Sequence, residues 1–313
     1  MEFENSIESS LPPRKLVCVS GSTGFLGRAI VLKLNEHGYR VLALSRRPEV
    51  SQFPKVISEI NCVSGTIDDW EEAISHFRPD VIISCDWEGV SQELRNKPLQ
   101  NLNCERISRL GKIAVQVKAK QFLSFGSQAE IAPSIESIDE SVLESPQNFY
   151  GLAKLEALKN LNVIAANSAT KIIWGRIFTI YGPGDTRKSI VTEGITKAIS
   201  GEEFIIEKPS LKWSFLFIDD FTDAIMTIVE NEDISGVINI GNPVATKLGL
   251  VNEEIFKSLG IKPRYKNVAQ KVDLDSGITW IPKTETLFNL GWQPQTTFRE
   301  GISKTVQWWS VKD

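Results

Sequence analysis

Tyr150 and Lys154 stand four residues apart in Tyr150-Gly151-Leu152-Ala153-Lys154, heading a stretch continued at helical spacing by Leu155, Leu158 and Leu161. Side chains four apart share one face of a helix, so a phenol and an ammonium reach the same space. An ordinary tyrosine titrates near 10, roughly three units above neutral pH. An ammonium close by favours the phenolate and lowers that value. Ser127, 23 residues upstream, ends an apolar run and offers a hydroxyl to hold a carbonyl oxygen against the phenol. Such a set exchanges a proton with a carbonyl or alcohol oxygen, which suits carbonyl reduction or alcohol oxidation beside a hydride carrier. Taken alone, Y-x-x-x-K is a common exposed i, i+4 pair; its weight comes from its place after Ser127 and a glycine-rich turn.

That turn is Ser20-Gly21-Ser22-Thr23-Gly24-Phe25-Leu26-Gly27. It follows the apolar run Leu16-Val17-Cys18-Val19, read as a buried parallel strand. It opens a helix to about His37, with Leu26, Ile30 and Leu34 on one face and Gly38 as the stop. A second apolar run, Arg40 to Leu44, completes a strand–helix–strand unit. Glycines where strand meets helix let a pyrophosphate approach free N–H groups at the positive end of the helix dipole. Gly21, Thr23, Gly24, Phe25, Leu26 and Gly27 are therefore candidate cofactor-binding residues. Next comes Ser45-Arg46-Arg47, where a dinucleotide fold faces the adenine ribose. An NAD site typically places a carboxylate there. Guanidinium groups suit a 2′-phosphate instead, so Ser45, Arg46 and Arg47 favour NADP(H), with NAD possible and two solvated surface arginines as the plainer alternative.

Strand and helix patterns alternate beyond this unit. Residues 55–63 surround a third strand and Pro79 to Cys85 form a fourth. Leu102 to Lys118 form a long helix, and Gln121 to Ser127 a fifth strand. This order predicts an α/β doubly wound parallel sheet, a Rossmann fold, whose ligands lie beyond the carboxyl ends of the strands. The glycine turn, Arg46, Asp86 and Ser127 all fall at such ends, and Asp86 and Trp87 become candidate substrate-binding residues. Asp219-Asp220 reads as an N-terminal cap of the helix that follows.

The chain has 313 residues, 42% hydrophobic and 24% charged, as one large or two modest globular units would have. A net charge of −4 gives no basic stripe for nucleic acid and no polybasic membrane patch. No apolar run reaches the ~18 residues a span needs, and the acidic start Met1-Glu2-Phe3-Glu4 lacks a secretory plan. Cys18, Cys62, Cys85 and Cys104 are scattered, which suits free thiols in the cytoplasm. Only His37 and His76 occur, so no metal cluster is expected.

The ordered set of these pieces resembles the extended short-chain dehydrogenase/reductases of the nucleotide-sugar epimerase/dehydratase family. It includes Asn103, Phe125-Gly126-Ser127-Gln128-Ala129-Glu130, Gly175-Arg176-Ile177-Phe178, Tyr181-Gly182-Pro183-Gly184-Asp185, Phe217-Ile218-Asp219-Asp220, Asn239-Ile240-Gly241 and Leu290-Gly291-Trp292-Gln293-Pro294. The resemblance implies a catalytic triad of Ser127, Tyr150 and Lys154. Lys154 would also hold the nicotinamide ribose, and Phe178 would pack near the nicotinamide. It further implies a tail over 1–13, a dinucleotide-binding domain over 14–180 joined by 215–240, and a smaller C-terminal α/β cap over 181–214 and 241–313 that covers a sugar nucleotide. Residues 215–228 and 237–240 would form the last helix and strand of the large domain.

Several positions depart from the family's pattern. Thr66 replaces an adenine-contacting aspartate, and Cys85-Asp86 replaces a pair of alanines. Thr179 replaces an asparagine that contacts the sugar nucleotide, and Trp213 an arginine that binds phosphate, with Arg187 and Lys212 nearby. Gln128 and Ala129 stand where dehydratases carry an Asp-Glu pair, and the segment instead resembles 4-keto-sugar reductases of the CDP-abequose synthase type. The expectation is an NADPH-dependent reductase of a 4-keto deoxysugar nucleotide. Its alternatives are an NAD-dependent nucleotide-sugar epimerase and a non-catalytic cofactor-binding protein. A homodimer paired through the helices at 100–109 and 152–161 is a further expectation.

Overall fold

The computed structural model describes residues 15–46, 53, 60–134, 136–268 and 279–312. Arg47 and the tail expected over 1–13 lie outside the described residues. The large sheet contains β1 (Leu16–Ser20), β2 (Arg40–Ser45), β3 (Ile60–Ser64), β4 (Val81–Ser84), β5 (Gln121–Ser127), β6 (Lys171–Ile177) and β10 (Gly236–Ile240). Its strand order is β10-β6-β5-β4-β1-β2-β3, with every pairing parallel. The winding reverses beside β1, which opens the crevice where such sheets bind ligands.

Alternate residues of each central strand face opposite layers. Val17, Val19, Val41, Ala43, Ile83 and Phe125 pack with α1 (Phe25–Glu36) and α6 (Ile218–Glu230) on one side. Cys18, Leu42, Leu44, Ile82 and Phe122 pack on the other with α2 (Ile67–Phe77), α3 (Leu99–Gln116) and α4 (Phe149–Ala165). Both faces of the sheet are covered, which is why β1 and β4 read as unbroken apolar runs. Lys33 on α1 and Asp223 on α6 form an ion pair at 2.6 Å across the first layer.

A second sheet contains β7 (Thr179–Tyr181), β9 (Lys212–Phe217), β11 (Ala245–Lys247) and β13 (Thr279–Trp280). β8 (Phe204–Ile206) pairs with β12 (Tyr265–Asn267). The remaining helices are α5 (Ile190–Ile199), α7 (Gly249–Leu259), α8 (Glu285–Asn289) and α9 (Phe298–Lys312). Residues 215–217 thus belong to the second sheet, where Phe215 pairs with Thr179, and only α6 and β10 return to the large one. Among the described residues, no helix is long and apolar enough to cross a membrane.

Candidate active site

Ser127 ends β5, and Tyr150 sits in the first turn of α4. That turn is fixed from two directions: the Asn148 side chain caps it by accepting from the Gly151 N–H at 2.9 Å, and the Tyr150 N–H donates to the Arg95 carbonyl at 2.8 Å. The Ser127 hydroxyl faces the Tyr150 phenol closely enough to oppose the effect of burial on it. One turn further along, Lys154 Nζ donates to the Phe125 carbonyl at 2.6 Å and lies 5.6 Å from the Tyr150 ring centroid. Ser127, Tyr150 and Lys154 therefore converge at one strand end.

Beneath them lies a buried ion pair. The Ser127 N–H donates to Glu130 Oε1 at 2.7 Å, and the Ser127 hydroxyl accepts from the Ala129 N–H at 3.2 Å. Glu130, fully buried, accepts from Arg176 Nε at 3.2 Å and Trp174 Nε1 at 3.2 Å. The S-x-x-E spacing of Ser127 and Glu130 is a capping-box signal, readable in the sequence although Glu130 carries no expected role.

Burial, rather than the neighbouring ammonium, governs how these groups titrate. It pushes the Tyr150 phenol up, against the opposing pull of the Ser127 hydroxyl and the Arg95 and Arg187 guanidiniums. It pulls Lys154 down to about 7, against the carboxylates of Glu130 and Asp86. The expectation that Lys154 acidifies Tyr150 is therefore corrected: both side chains are buried, and the lysine spends its nearest contacts on a carbonyl and an indole. That indole belongs to Trp87, whose ring centroid is 3.6 Å from Lys154 Nζ.

The glycine turn fits a dinucleotide pyrophosphate. A Cβ on Gly27 would lie 2.2 Å from the Gly21 carbonyl oxygen, so the turn closes only with hydrogen there. Gly24 caps α1 without a side-chain hydrogen bond, and the first turn holds no acidic residue, which leaves the helix terminus to an anion. Phe25 and Leu26 begin α1 and pack partly against the core. Thr23 Oγ1 is 2.9 Å from Ser45 Oγ, tying the turn to the end of β2. Arg46 follows, ion-paired with Glu88.

The expected substrate residues divide. Asp86 is corrected: its carboxylate accepts from Ser20 at 2.6 Å, Ser84 at 2.9 Å and Arg106 at 2.6 Å, which makes it an internal anchor and not a pocket wall. Trp87 lies against both Lys154 and Tyr150, the latter ring edge-on at 6.0 Å. Arg187 stacks over Phe25 at 4.7 Å from the ring centroid while bonding Asp185, so it stands beside the glycine turn. Phe178 is buried with Ile131 and Ile138, next to the segment that follows Ser127. Thr179 and Trp213 lie on β7 and β9, and none of their described hydrogen bonds or ring contacts reaches the triad. Sequence reasoning placed Glu88 with Trp87 as a pocket residue and Gln100 and Arg106 in a dimer helix, and it passed over Arg95; the structure brings all four to the site.

A protein-family model described as the NAD dependent epimerase/dehydratase family matches residues 17–241. The chain is 25% identical to UDP-glucuronic acid decarboxylase 5 of Arabidopsis thaliana, over 91% of this chain and 86% of that protein. It is 23% identical to dTDP-6-deoxy-L-talose 4-dehydrogenase (NAD(P)(+)) of Kitasatospora kifunensis, over 91% and 93% of the two chains. Among solved structures, MoeE5 in complex with UDP-glucose and NAD superposes with a TM-score of 0.82 at 21% identity, covering 95% of this chain and 99% of that one. A match spanning most of the length, on this sheet and this glycine turn, places the chain in the NAD-dependent epimerase/dehydratase family, the extended short-chain dehydrogenase/reductase enzymes that act on nucleotide sugars.

Proposed function

We propose that the protein is an NADPH-dependent reductase of the 4-keto group of a deoxysugar nucleotide. The observation that carries this reading is that Ser127 and Lys154 converge on a buried Tyr150 phenol, which burial pushes up and so keeps protonated. A neutral phenol is an acid ready to give its proton, which reduction of a carbonyl requires and which oxidation of an alcohol must first undo. Tyr150 gives that proton to the carbonyl oxygen, and Ser127 orients the oxygen by hydrogen bonding. Lys154 offers N–H donors to the nicotinamide ribose, and Gly21, Thr23, Gly24, Phe25, Leu26 and Gly27 hold the pyrophosphate. The nicotinamide supplies the hydride when bound.

Two further observations support the direction. Gln128 and Ala129 offer no acid–base pair for water loss beside Ser127. The Kitasatospora kifunensis relative is named a 4-dehydrogenase of a dTDP-6-deoxy sugar, an oxidation whose reverse is a 4-keto reduction. Phosphorylated cofactor is favoured by Arg46 and by the uncharged Ser45 at the end of β2. In the same reading Trp87, Arg187, Thr179 and Trp213 face the sugar nucleotide, and Phe178 backs the nicotinamide. The domain boundaries are those given by the sequence, with residues 179–180 and 215–217 moved to the cap. The enzyme works in the cytoplasm, which its four unpaired cysteines suit. Exposed Leu102, Leu152 and Val163 on α3 and α4 support a homodimer through those helices.

An NAD-dependent epimerase is the second reading, favoured by the Glu88 carboxylate that already occupies Arg46. Mixing the enzyme with NADPH and a panel of 4-keto-6-deoxy nucleotide sugars tests the choice. Loss of reduced-nicotinamide absorbance, abolished in Tyr150→Phe, is the expected result. Interconversion of two nucleotide hexoses with no net use of cofactor would establish the epimerase instead.

A further inference from the structure

Arg46 follows β2 and Glu88 follows β4, strands that lie on either side of β1. Their ion pair is one step in a row of four alternating charges. Arg106 Nη1 lies 3.7 Å from the same Glu88 oxygen that Arg46 holds, and Arg106 Nε bonds Asp86 Oδ2 at 2.6 Å. The row runs inward from Arg46, whose side chain is 47% exposed, to Asp86, at 1%. Glu88 is not a freely moving surface acid. Its N–H donates to Asn103 Oδ1 at 3.0 Å, and Asn103 Nδ2 donates back to its carbonyl at 2.9 Å. Arg106 Nη2 braces the same Asn103 oxygen at 2.6 Å.

We infer that Glu88 is a specificity-determining residue for the cofactor, setting how strongly the site prefers a 2′-phosphate. The inference rests on the reading above that the end of β2 faces the adenine ribose. A 2′-phosphate carries close to two negative charges and needs the Arg46 guanidinium. To use it, the phosphate must share that guanidinium with a carboxylate whose backbone is clamped in place. Like charges so close work against each other. A 2′-hydroxyl meets no such opposition and gains an acceptor. Glu88 thus supplies, from the loop after β4, the carboxylate that Ser45 does not supply on β2. The outcome is a site that takes both cofactors with a narrow preference, despite its arginine.

Calorimetric titration with ADP-ribose and 2′-phospho-ADP-ribose reads this without any turnover. Glu88→Gln keeps the size of the side chain and its backbone clamp. It should tighten the phosphorylated probe relative to the plain one by about tenfold, a change of one factor of ten in the affinity ratio. Arg46→Met/Glu88→Gln should show no such gain over Arg46→Met, because the guanidinium through which Glu88 acts is gone. An affinity ratio identical in wild type and Glu88→Gln overturns the inference, as does the same gain with Arg46 absent. If Glu88→Gln does not fold, Glu88→Asp, which draws the carboxylate back by one methylene, should move the ratio in the same direction, and an unchanged ratio there counts equally against it. Failure to reduce any 4-keto sugar would sink the reductase reading and leave these binding ratios as they are.

Discussion

Lys154 Nζ sits 3.6 Å from the centroid of the Trp87 ring, with the Trp87 indole N–H held by Gln100 Oε1 at 2.9 Å. Gln100 in turn donates to the Gly89 and Leu94 carbonyls at 2.9 and 3.0 Å, so the loop after β4 delivers the indole to the lysine in a fixed pose. A desolvated ammonium gains about 2 kcal/mol from such a ring face. Trp87→Leu removes that support and should lower the pH at which Lys154 loses its proton by roughly one unit. The alkaline fall of kcat/KM would move down with it, while Trp87→Phe, which keeps a ring, should move it less. A pH–rate profile of the three proteins checks this, and an alkaline limb unmoved in Trp87→Leu would show that the ring does not support the charge.

The same lysine gives the free protein a pH-dependent stability. Burial brings Lys154 from 10.5 down to about 7 in the folded chain. Between those values the unfolded chain binds the extra proton, so stability rises with pH. Below about 7 both states carry the charge and the penalty of burying it is fully present. Tyr150 shifts upward from 10.0 and so leaves the window below that value undisturbed. Denaturant unfolding from pH 7 to 10 should show wild type gaining on Lys154→Met, by at most about 1.4 kcal/mol per pH unit. A constant difference across that range would mean that the ammonium keeps an ordinary value when folded.

The large sheet was legible because its strands are buried on both faces and therefore read as apolar runs, as β1, β4 and β5 do. The nearness of Ser127, Tyr150 and Lys154 was legible because two of them are four apart on one helix and the third ends a strand. What sequence order hides is the lateral neighbourhood of strand ends. Arg46 meets Glu88 only because β2 and β4 flank β1 in the sheet, and Asp86 meets Arg106 only because α3 packs back over the end of β4. Local spacing also misassigns a side chain that has a distant partner. Asp220 looks like a cap, yet α6 begins at Ile218 and the Asp220 carboxylate accepts from the Gln295 and Thr296 N–H groups at 2.9 and 3.0 Å. Lys154 shows the same limit: its spacing from Tyr150 says that the two are close, not that the ammonium turns to Phe125 and Trp87.

Gly151 lets α4 approach the turn that follows Ser127. A Cβ at this position would lie 2.1 Å from the Ala129 carbonyl oxygen, and backbone cannot swing aside as a flexible side chain does. Gly151→Ala should push the head of α4 away from that turn and draw the Tyr150 phenol away from Ser127. A displacement of about 1 Å at a reacting pair costs on the order of a hundredfold in rate. Turnover should therefore fall by about that factor while ADP-ribose binding at the distant glycine turn persists. Crystallography of the variant would check the separation directly, and full activity in Gly151→Ala would mean that the close approach is not what seats the phenol.

The Glu130–Arg176 pair ties this geometry to stability. Both side chains are buried, at 0% and 2% exposure, and Glu130 also accepts from Ser127 and Trp174. Burial raises the Glu130 carboxyl, and Arg176, the Ser127 N–H and Lys154 oppose that rise. Arg176→Met strips the main opposing charge and leaves an uncompensated carboxylate, a change that typically costs about 3–5 kcal/mol. Because a raised carboxyl takes up a proton more readily when folded, the loss should shrink as pH falls through the acid range, where the folded chain can protonate Glu130 before the unfolded chain does. Glu130→Gln in the Arg176→Met background removes the stranded charge and should recover part of the stability at neutral pH. Urea denaturation of the single and double variants measures both effects. A double variant no more stable than Arg176→Met would show that the cost lies in lost packing of the guanidinium and not in an unpaired carboxylate beneath Ser127.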